Sequence, residues 1–388
     1  MRTQFINCSK KYKEKKYLEE KKELGLIERI GIDKSRLNNI FIKDIDETKI
    51  NQHRGENREI VVEYGDTPVV LESGKCLRRL KIKDERIGLL NFQYKKRTDG
   101  KSRATCSLHL LATGNGNNLQ NLTVQNYKKR VSEAFRLITQ EYGIVLDYSQ
   151  AKIKSLEVNA TFRLQDDFGK YEKIILMMIR NVPKMYKDKR SNSLKYHIWR
   201  EATKNYDKLE TVLAKNQSVE LKIYNKLKQL KDTGAISNIA ENNVMRIEYT
   251  FKNASTLKSR FGANTVNALS DEALINMFKW YFVRDIVKPW EKWQKDNKHA
   301  LCHIASKYMQ SGTDWKQAFF RECRQYESTH GLPVLFDVCD MQPVFRLLDK
   351  SKNANRKFQR FKKSAKFETD LIGNTKRMQE VINKVMSM

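Results

Sequence analysis

The stretch Ser218–Phe251 gathers a phenol, a carboxylate and several cations at alternating positions: SVELKIYNKLKQLKDTGAISNIAENNVMRIEYTF. In Val219–Tyr224, the apolar Val219, Leu221 and Ile223 alternate with Glu220, Lys222 and Tyr224. In Val244–Phe251, Met245, Ile247, Tyr249 and Phe251 alternate with Arg246, Glu248 and Thr250. A period of two gives a strand with one apolar and one polar face. If the two strands share a sheet, their common polar face suits phosphodiester chemistry. A phenolic oxygen is a nucleophile, a carboxylate holds a metal ion, and Lys or Arg meets phosphate charge. Tyr224 is the candidate nucleophile, with Lys222, Lys226 and Arg246 to position or neutralise a phosphate.

Two further alternating segments offer polar faces of the same kind. Cys106–Ala112 turns Ser107 and His109 away from Cys106, Leu108, Leu110 and Ala112. Lys154–Leu164 turns Glu157, Asn159, Thr161 and Arg163 away from Leu156, Val158, Ala160 and Phe162. A hard divalent cation, Mg²⁺ or Mn²⁺, takes oxygen ligands and tolerates an imidazole. Glu248, His109 and either Glu157 or Asn159 are the candidate ligands. Competing motifs are poorer. His299 and His303 have i,i+4 spacing but lack the glutamate of a zinc-protease helix. There is no phosphate-cradling Walker loop, no G-x-S-x-G elbow and no His-hydrophobic-His pair.

The elements that must position these groups alternate in type. REIVVEYG, PVVLES, RIGLLNFQYKKR and SRATCSLHLLAT read as strands, with KKRTDGKS as a hairpin connection. Val124–Tyr142 has helical spacing, with Gly143 at its C-cap, and YEKIILMMIR reads as a buried helix. Pro183–Lys208 is basic and poor in apolar residues, which predicts a loop or a DNA-facing insertion. Strand, helix, strand, helix thus occurs at Thr105–Arg180 and again at Val219–Arg260. We expect an α+β fold: two βαβ-like halves forming one antiparallel sheet backed by helices, with a helical C-terminal region. Ser270-Asp271-Glu272 opens a C-terminal helix that Pro289 is expected to break. Three domains are expected: a basic N-terminal helical segment over 1–57, an α+β catalytic domain over 58–262 and a helical basic domain over 263–388.

The 388 residues carry 75 Lys and Arg against 46 Asp and Glu, a net charge of +29 that points to a polyanionic partner, nucleic acid. Lys350–Lys366 concentrates it: Lys350, Lys352, Arg356, Lys357, Arg360, Lys362, Lys363 and Lys366 are interleaved with Phe358 and Phe361. This is a candidate DNA-contacting helix or tail. No apolar run is long enough to span a bilayer, the first residues hold no apolar signal core, and the six cysteines are scattered. A cytoplasmic protein with reduced thiols and no membrane partner is expected.

Three segments resemble the gene II/gene X replication initiators of filamentous phages and related plasmids. KSLEVNATFRL, followed by a helix ending RNVPK, is similar to that family's strand ending D-A-T-F and its next helix. ELKIYNKLKQL resembles the segment holding its nicking tyrosine, and NVMRIEYTFKNASTLKSRFG its R-[IF]-E strand and short following helix. The resemblance is best over residues 150–262. It implies rolling-circle initiation: origin-specific, metal-dependent nicking of one DNA strand and a 5′-phosphotyrosine link. Tyr224 would match the nucleophile and Glu248 a metal-site carboxylate. Asn159 stands where the family carries Asp, and Glu157 lies two residues earlier on the same face. A host polymerase would extend the freed 3′ end, and a host helicase is a further expected partner. Tyr196 and Tyr206 are reserve nucleophiles. The rival expectation is an initiator that binds origin DNA through its basic helices without catalysis. An RNA-binding module is weaker still, for want of an aromatic RNA-stacking strand.

Overall fold

The alternating segments become strands in the computed structural model. It describes residues 26–52, 60–64, 80–84, 86–96, 102–111, 121–185, 195–200, 209–233, 242–306, 315–330 and 373–388, with isolated positions between them. The strands are β1 (Arg29–Ile45), β2 (Ile60–Tyr64), β3 (Val69–Val70), β4 (Cys76–Leu77), β5 (Leu80–Asp84), β6 (Gly88–Lys96), β7 (Ser102–Leu111), β8 (Ile144–Asp147), β9 (Lys152–Arg163), β10 (Lys195–Arg200), β11 (Leu209–Lys215), β12 (Val219–Asn225) and β13 (Val244–Phe251). Eleven of them form one sheet in the order β10-β11-β12-β13-β9-β1-β7-β6-β5-β2, with β8 also on β1; β3 and β4 pair separately. The strand pairs of the sheet are antiparallel.

The two strand–helix–strand units meet where β13 pairs with β9. In the first, β7 and β9 flank β1, each antiparallel to it, and the helix Val124–Tyr142 connects them. In the second, β12 and β13 pair directly, and the helix Lys226–Asp232 lies between them in the chain. The expected antiparallel sheet backed by helices is what forms. Thr123 caps the helix Val124–Tyr142 by accepting from the Asn126 N–H, and Gly143, at φ 64°, ends it in the left-handed conformation that glycine adopts without strain. Its buried stripe (Tyr127, Val131, Phe135, Ile138, Tyr142) lies in one apolar cluster with Val158, Ala160 and Phe162 of β9 and Ile247 and Tyr249 of β13. Phe278 and Phe282 of the helix Asp271–Phe282 belong to that cluster, as do Met378 and Val381 of the helix Asn374–Ser387. The C-terminal helices therefore share the sheet's core. Among the described residues no helix is long and apolar enough to cross a membrane.

Three expectations are corrected. Residues 1–25 lie outside the described residues, but Arg29–Ile45 is no helix: it is the strand between β9 and β7. Its Lys- and Glu-rich approach reads as helical, and register shifts after Ile32, Arg36 and Leu37 hide its alternation. The basic segment 183–208, expected to be a loop or a DNA-facing insertion, holds β10, paired with β11, which overturns the loop. Pro289 does not break its helix. The helix Asp271–Phe282 runs through a π turn, Val283–Val287, into the helix Lys288–Ser306. There the Lys288 N–H reaches back to the Val283 carbonyl, a wider turn that tolerates a residue without an N–H.

Candidate active site

Strand register lines up the polar side chains. Lys222 lies opposite Glu248 and Glu248 opposite Asn159; Tyr224 lies opposite Arg246 and Arg246 opposite Thr161. Thr250 faces Glu157, which faces Lys34 on β1. Directly opposed residues of antiparallel strands share a face. This face is the reverse of the one carrying Ile247 and Tyr249 into the helix-packed core.

One acidic residue escapes the alternation. Ile32 pairs with Val158 and Lys34 with Glu157, so Asp33 is an extra residue in β1. A bulge of this kind re-aims its side chain. Oxygen atoms of Asp33, Glu157 and Glu248 lie within 4.8 Å of one another, and all three residues are buried. Gly31 lets the chain close over this end of the sheet. A Cβ there would stand 2.7 Å from both the Asn121 Cβ and the Leu122 carbonyl oxygen. Asn121 Nδ2 donates to the Arg29 carbonyl at 3.0 Å and the Asn159 carbonyl at 3.2 Å. A small apolar cluster of Leu26, Leu119, Leu227, Leu230 and Val244 packs beside it.

Cations hold the outer oxygens of the carboxylates. Arg246, fully buried, donates from Nε to Thr161 Oγ1 at 2.8 Å and from Nη1 to Asp33 Oδ2 at 3.2 Å. Thr161 in turn donates to Asn159 Oδ1 at 2.9 Å, so Asn159 orients Arg246 through Thr161. Lys222 Nζ lies 3.2 Å from Glu248 Oε1, and Lys34 Nζ 3.3 Å from Glu157 Oε1. The Tyr224 hydroxyl donates to Glu248 Oε2 at 3.2 Å.

The charges strain against one another. Burial, then Glu248, pushes Glu157 up to about 8, and it shares a hydrogen bond with Asp33. Burial alone would raise Asp33 too, but Arg246 and Lys34 hold it below the usual carboxylate range. Burial, then Arg246, pushes Lys226 down to about 7. Burial, then Glu248, lifts the Tyr224 phenol well above its ordinary value. Even with Lys34, Lys222 and Arg246 beside them, carboxylates this close resist ionising together. The cluster therefore fits a divalent ion: three buried carboxylates converge, and one retains a proton that an ion would displace.

That displacement is measurable. Glu157 has a folded pKa of about 8 against an ordinary 4.5. Between these values the folded state holds a proton that the unfolded state has released. The stability of metal-free protein should therefore fall as pH rises through that window and level off above it. Mn²⁺ binding at pH 7 should release close to one proton, and affinity should climb up to tenfold per pH unit until about pH 8. Calorimetry in buffers of different ionisation enthalpy counts the proton; release of none would place the ion elsewhere.

The sheet thus brings together Tyr224, Lys222, Arg246, Glu248 and Glu157, with Lys226 buried beside them, its Nζ 5.9 Å from the Tyr224 ring centroid. His109 is not in the carboxylate cluster; it lies opposite Arg36 on β1, and Asp33 takes the third place. Asn159 serves Thr161 instead. Tyr196 stands on β10 with its side chain outside the described residues, as are Tyr206, Lys350, Lys352, Lys357, Arg360, Lys362, Lys363 and Lys366. Arg356 is described and exposed. Asp33 was missed because it lies in a segment read as helical; the alternation of Ile30 and Ile32 with Gly31 and Asp33 is its one sequence signal.

No family model matches the chain, and no curated protein matches it. Among solved structures it is similar to a rolling circle replication initiator protein from Geobacillus stearothermophilus. The TM-score is 0.34 at 12% identity, over 66% of this chain and 85% of that one. The di-domain ARO/CYC BexL from the BE-7585A biosynthetic pathway gives a TM-score of 0.13 at 8% identity, over 60% of this chain and 75% of that one. At these values neither likeness carries an argument about function.

Proposed function

We propose that this protein nicks one strand of origin DNA through Tyr224 and so starts rolling-circle replication of a phage or plasmid. The observation that carries the reading is the Tyr224 hydroxyl bonded at 3.2 Å to Glu248, a member of the buried three-carboxylate cluster. Tyr224 Oη attacks the scissile phosphorus while Glu248 Oε2 receives the phenolic proton. The bond from phosphorus to the 3′ oxygen breaks, and that oxygen leaves as a hydroxyl, taking a proton from a water that Glu248 reprotonates with the phenolic proton. The 5′ side stays linked to the tyrosine, and the 3′-hydroxyl primes a host polymerase. Asp33, Glu157 and Glu248 would hold Mg²⁺ or Mn²⁺, which supplies Lewis-acid polarisation of the phosphate when bound. Lys222 and Arg246 neutralise the phosphate's developing charge. Lys226, pushed down to about 7, is a second proton acceptor beside the phenol. The basic stretch Lys350–Lys366 would hold DNA.

The test is to incubate the protein with a supercoiled plasmid carrying its own origin, with and without Mg²⁺ or Mn²⁺. Relaxed circles and an SDS-resistant protein–DNA adduct are expected only with metal. One observation favours the non-catalytic initiator: Lys34, Lys222 and Arg246 already pair with the three carboxylates, as in a structural ion-pair network. Intact supercoils at every metal concentration would decide for that reading.

A further inference from the structure

Next to the carboxylate cluster, on the same face of the sheet, lies a cavity of about 180 Å³. Its floor is one rung of the sheet: His109 on β7 pairs with Arg36 on β1, and Arg36 pairs with Ser155 on β9. The next rung is that of Lys34 and Glu157, which also line the cavity. The two rungs are two residues apart along β1, roughly 6.6 Å at strand rise.

The charges of this cavity are unbalanced. Arg36 has no ion pair among the described residues, and its buried Nε has no hydrogen-bond partner. His109 has no acidic partner there either, and Lys154, close enough to act on His109, is exposed without one. Glu157 is the single carboxylate of the lining, and it is taken by Lys34 and the cluster. Burial, then Arg36 and Lys154, holds the His109 imidazole below its ordinary value, as a site short of negative charge would. A buried guanidinium nitrogen without an acceptor costs free energy that a bound anion would recover.

We propose that Arg36, His109 and Ser155 form a subsite for a backbone phosphate of single-stranded DNA, several nucleotides along the strand from the phosphate at Tyr224. The inference rests on the nicking reading for its choice of ligand. Arg36 presents a planar fork to two phosphate oxygens, His109 and Ser155 each offer a donor at its sides, and Lys34 bridges to the carboxylate rung. Thr161, on the rung of Tyr224 and Arg246, lies six residues along β9 from Ser155, roughly 20 Å at strand rise, so several nucleotides of an extended single strand would lie between the two phosphates. The subsite would thus set the direction in which the strand lies across the sheet, and keep the scissile phosphate against the carboxylates.

Binding of a fluorescent oligo-dT strand, measured by anisotropy against salt in EDTA, tests this apart from chemistry. Each phosphate neutralised on a single strand contributes about 0.7 to the slope of log affinity on log salt. Arg36→Gln with His109→Gln should lower that slope by about 0.7 and weaken binding several-fold, with unchanged thermal melting, whereas Arg36→Lys should restore most of the slope. Arg136→Gln, an exposed cation on the helix Val124–Tyr142, should leave the slope alone. A double variant with the wild-type slope, or an equal fall for Arg136→Gln, overturns the subsite even if the wild type nicks plasmid. A lowered slope confined to the cavity variants, in a protein that never nicks, upholds the subsite and removes the nicking reading.

Discussion

Tyr224→Phe is expected to abolish both nicking and the SDS-resistant adduct, with a loss of roughly four to six orders of magnitude in rate, as for removal of other enzymatic nucleophiles. The ring stays, so the strand keeps its packing, and Lys226 keeps its place over the ring face. What goes is one oxygen, with its bond to Glu248 Oε2 and the hydrogen bond it shares with Arg246. The loss of these bonds should cost about 1–2 kcal/mol of stability, because Glu248 retains Lys222 and Arg246 retains Thr161 and Asp33. Affinity for DNA should not change, since a phenol adds little to phosphate binding. The measurement is a time course on supercoiled origin DNA, quenched in SDS, beside a salt titration of binding. An adduct that persists at the wild-type rate would move the nucleophile to Tyr196 or Tyr206.

Asp33→Asn should have the second largest effect. Asparagine keeps the shape of the side chain and an oxygen to accept from Arg246, but removes one of the three charges that face one another. Mn²⁺ affinity, followed by electron paramagnetic resonance in the absence of DNA, should weaken by at least roughly a hundredfold, since even groups outside the ligand sphere cost 10–100-fold. Nicking should fall with it and recover in part at high Mn²⁺. In metal-free protein the variant should also lower the pKa of Glu157, because Asp33 is one of the groups holding it up. Asn159→Ala is the matched control: it loosens Thr161 and Arg246 while leaving all three carboxylates in place. An unaltered Mn²⁺ titration for Asp33→Asn would remove Asp33 from the metal site.

Much of this site is legible in the chain because β12, β13 and β9 keep strict alternation. Once Lys222, Tyr224, Arg246, Glu248 and Glu157 are placed on polar faces, antiparallel pairing brings them side by side. The helix Val124–Tyr142 is legible for a similar reason, since its apolar spacing and Gly143 agree with the fold. Asp33 is different. Its use depends on a bulge, and a bulge is a mismatch between two strands that neither strand displays alone. His109 shows the converse error. Its face is as predicted, but β1 intervenes between β7 and β9, so a shared face does not bring it within reach of Glu248. Pro289 was read locally, whereas the wider turn just before it lets the helix continue.

The place of β1 between β7 and β9 has a bearing on how the protein is made. Arg246 meets Asp33 across 213 residues of chain, and Lys34 meets Glu157 across 123. A ribosome releases β1 long before either partner strand exists, so the middle of the sheet stays open through most of translation. Pairings this distant close slowly, because loop entropy is spent before contacts repay it. A nascent chain interrupted before Arg246 lacks nearly all of β13, and with it both Arg246 and Glu248. On the proposed nicking reading, truncated products would then carry an incomplete site, completed only when nearly two thirds of the chain had been synthesised.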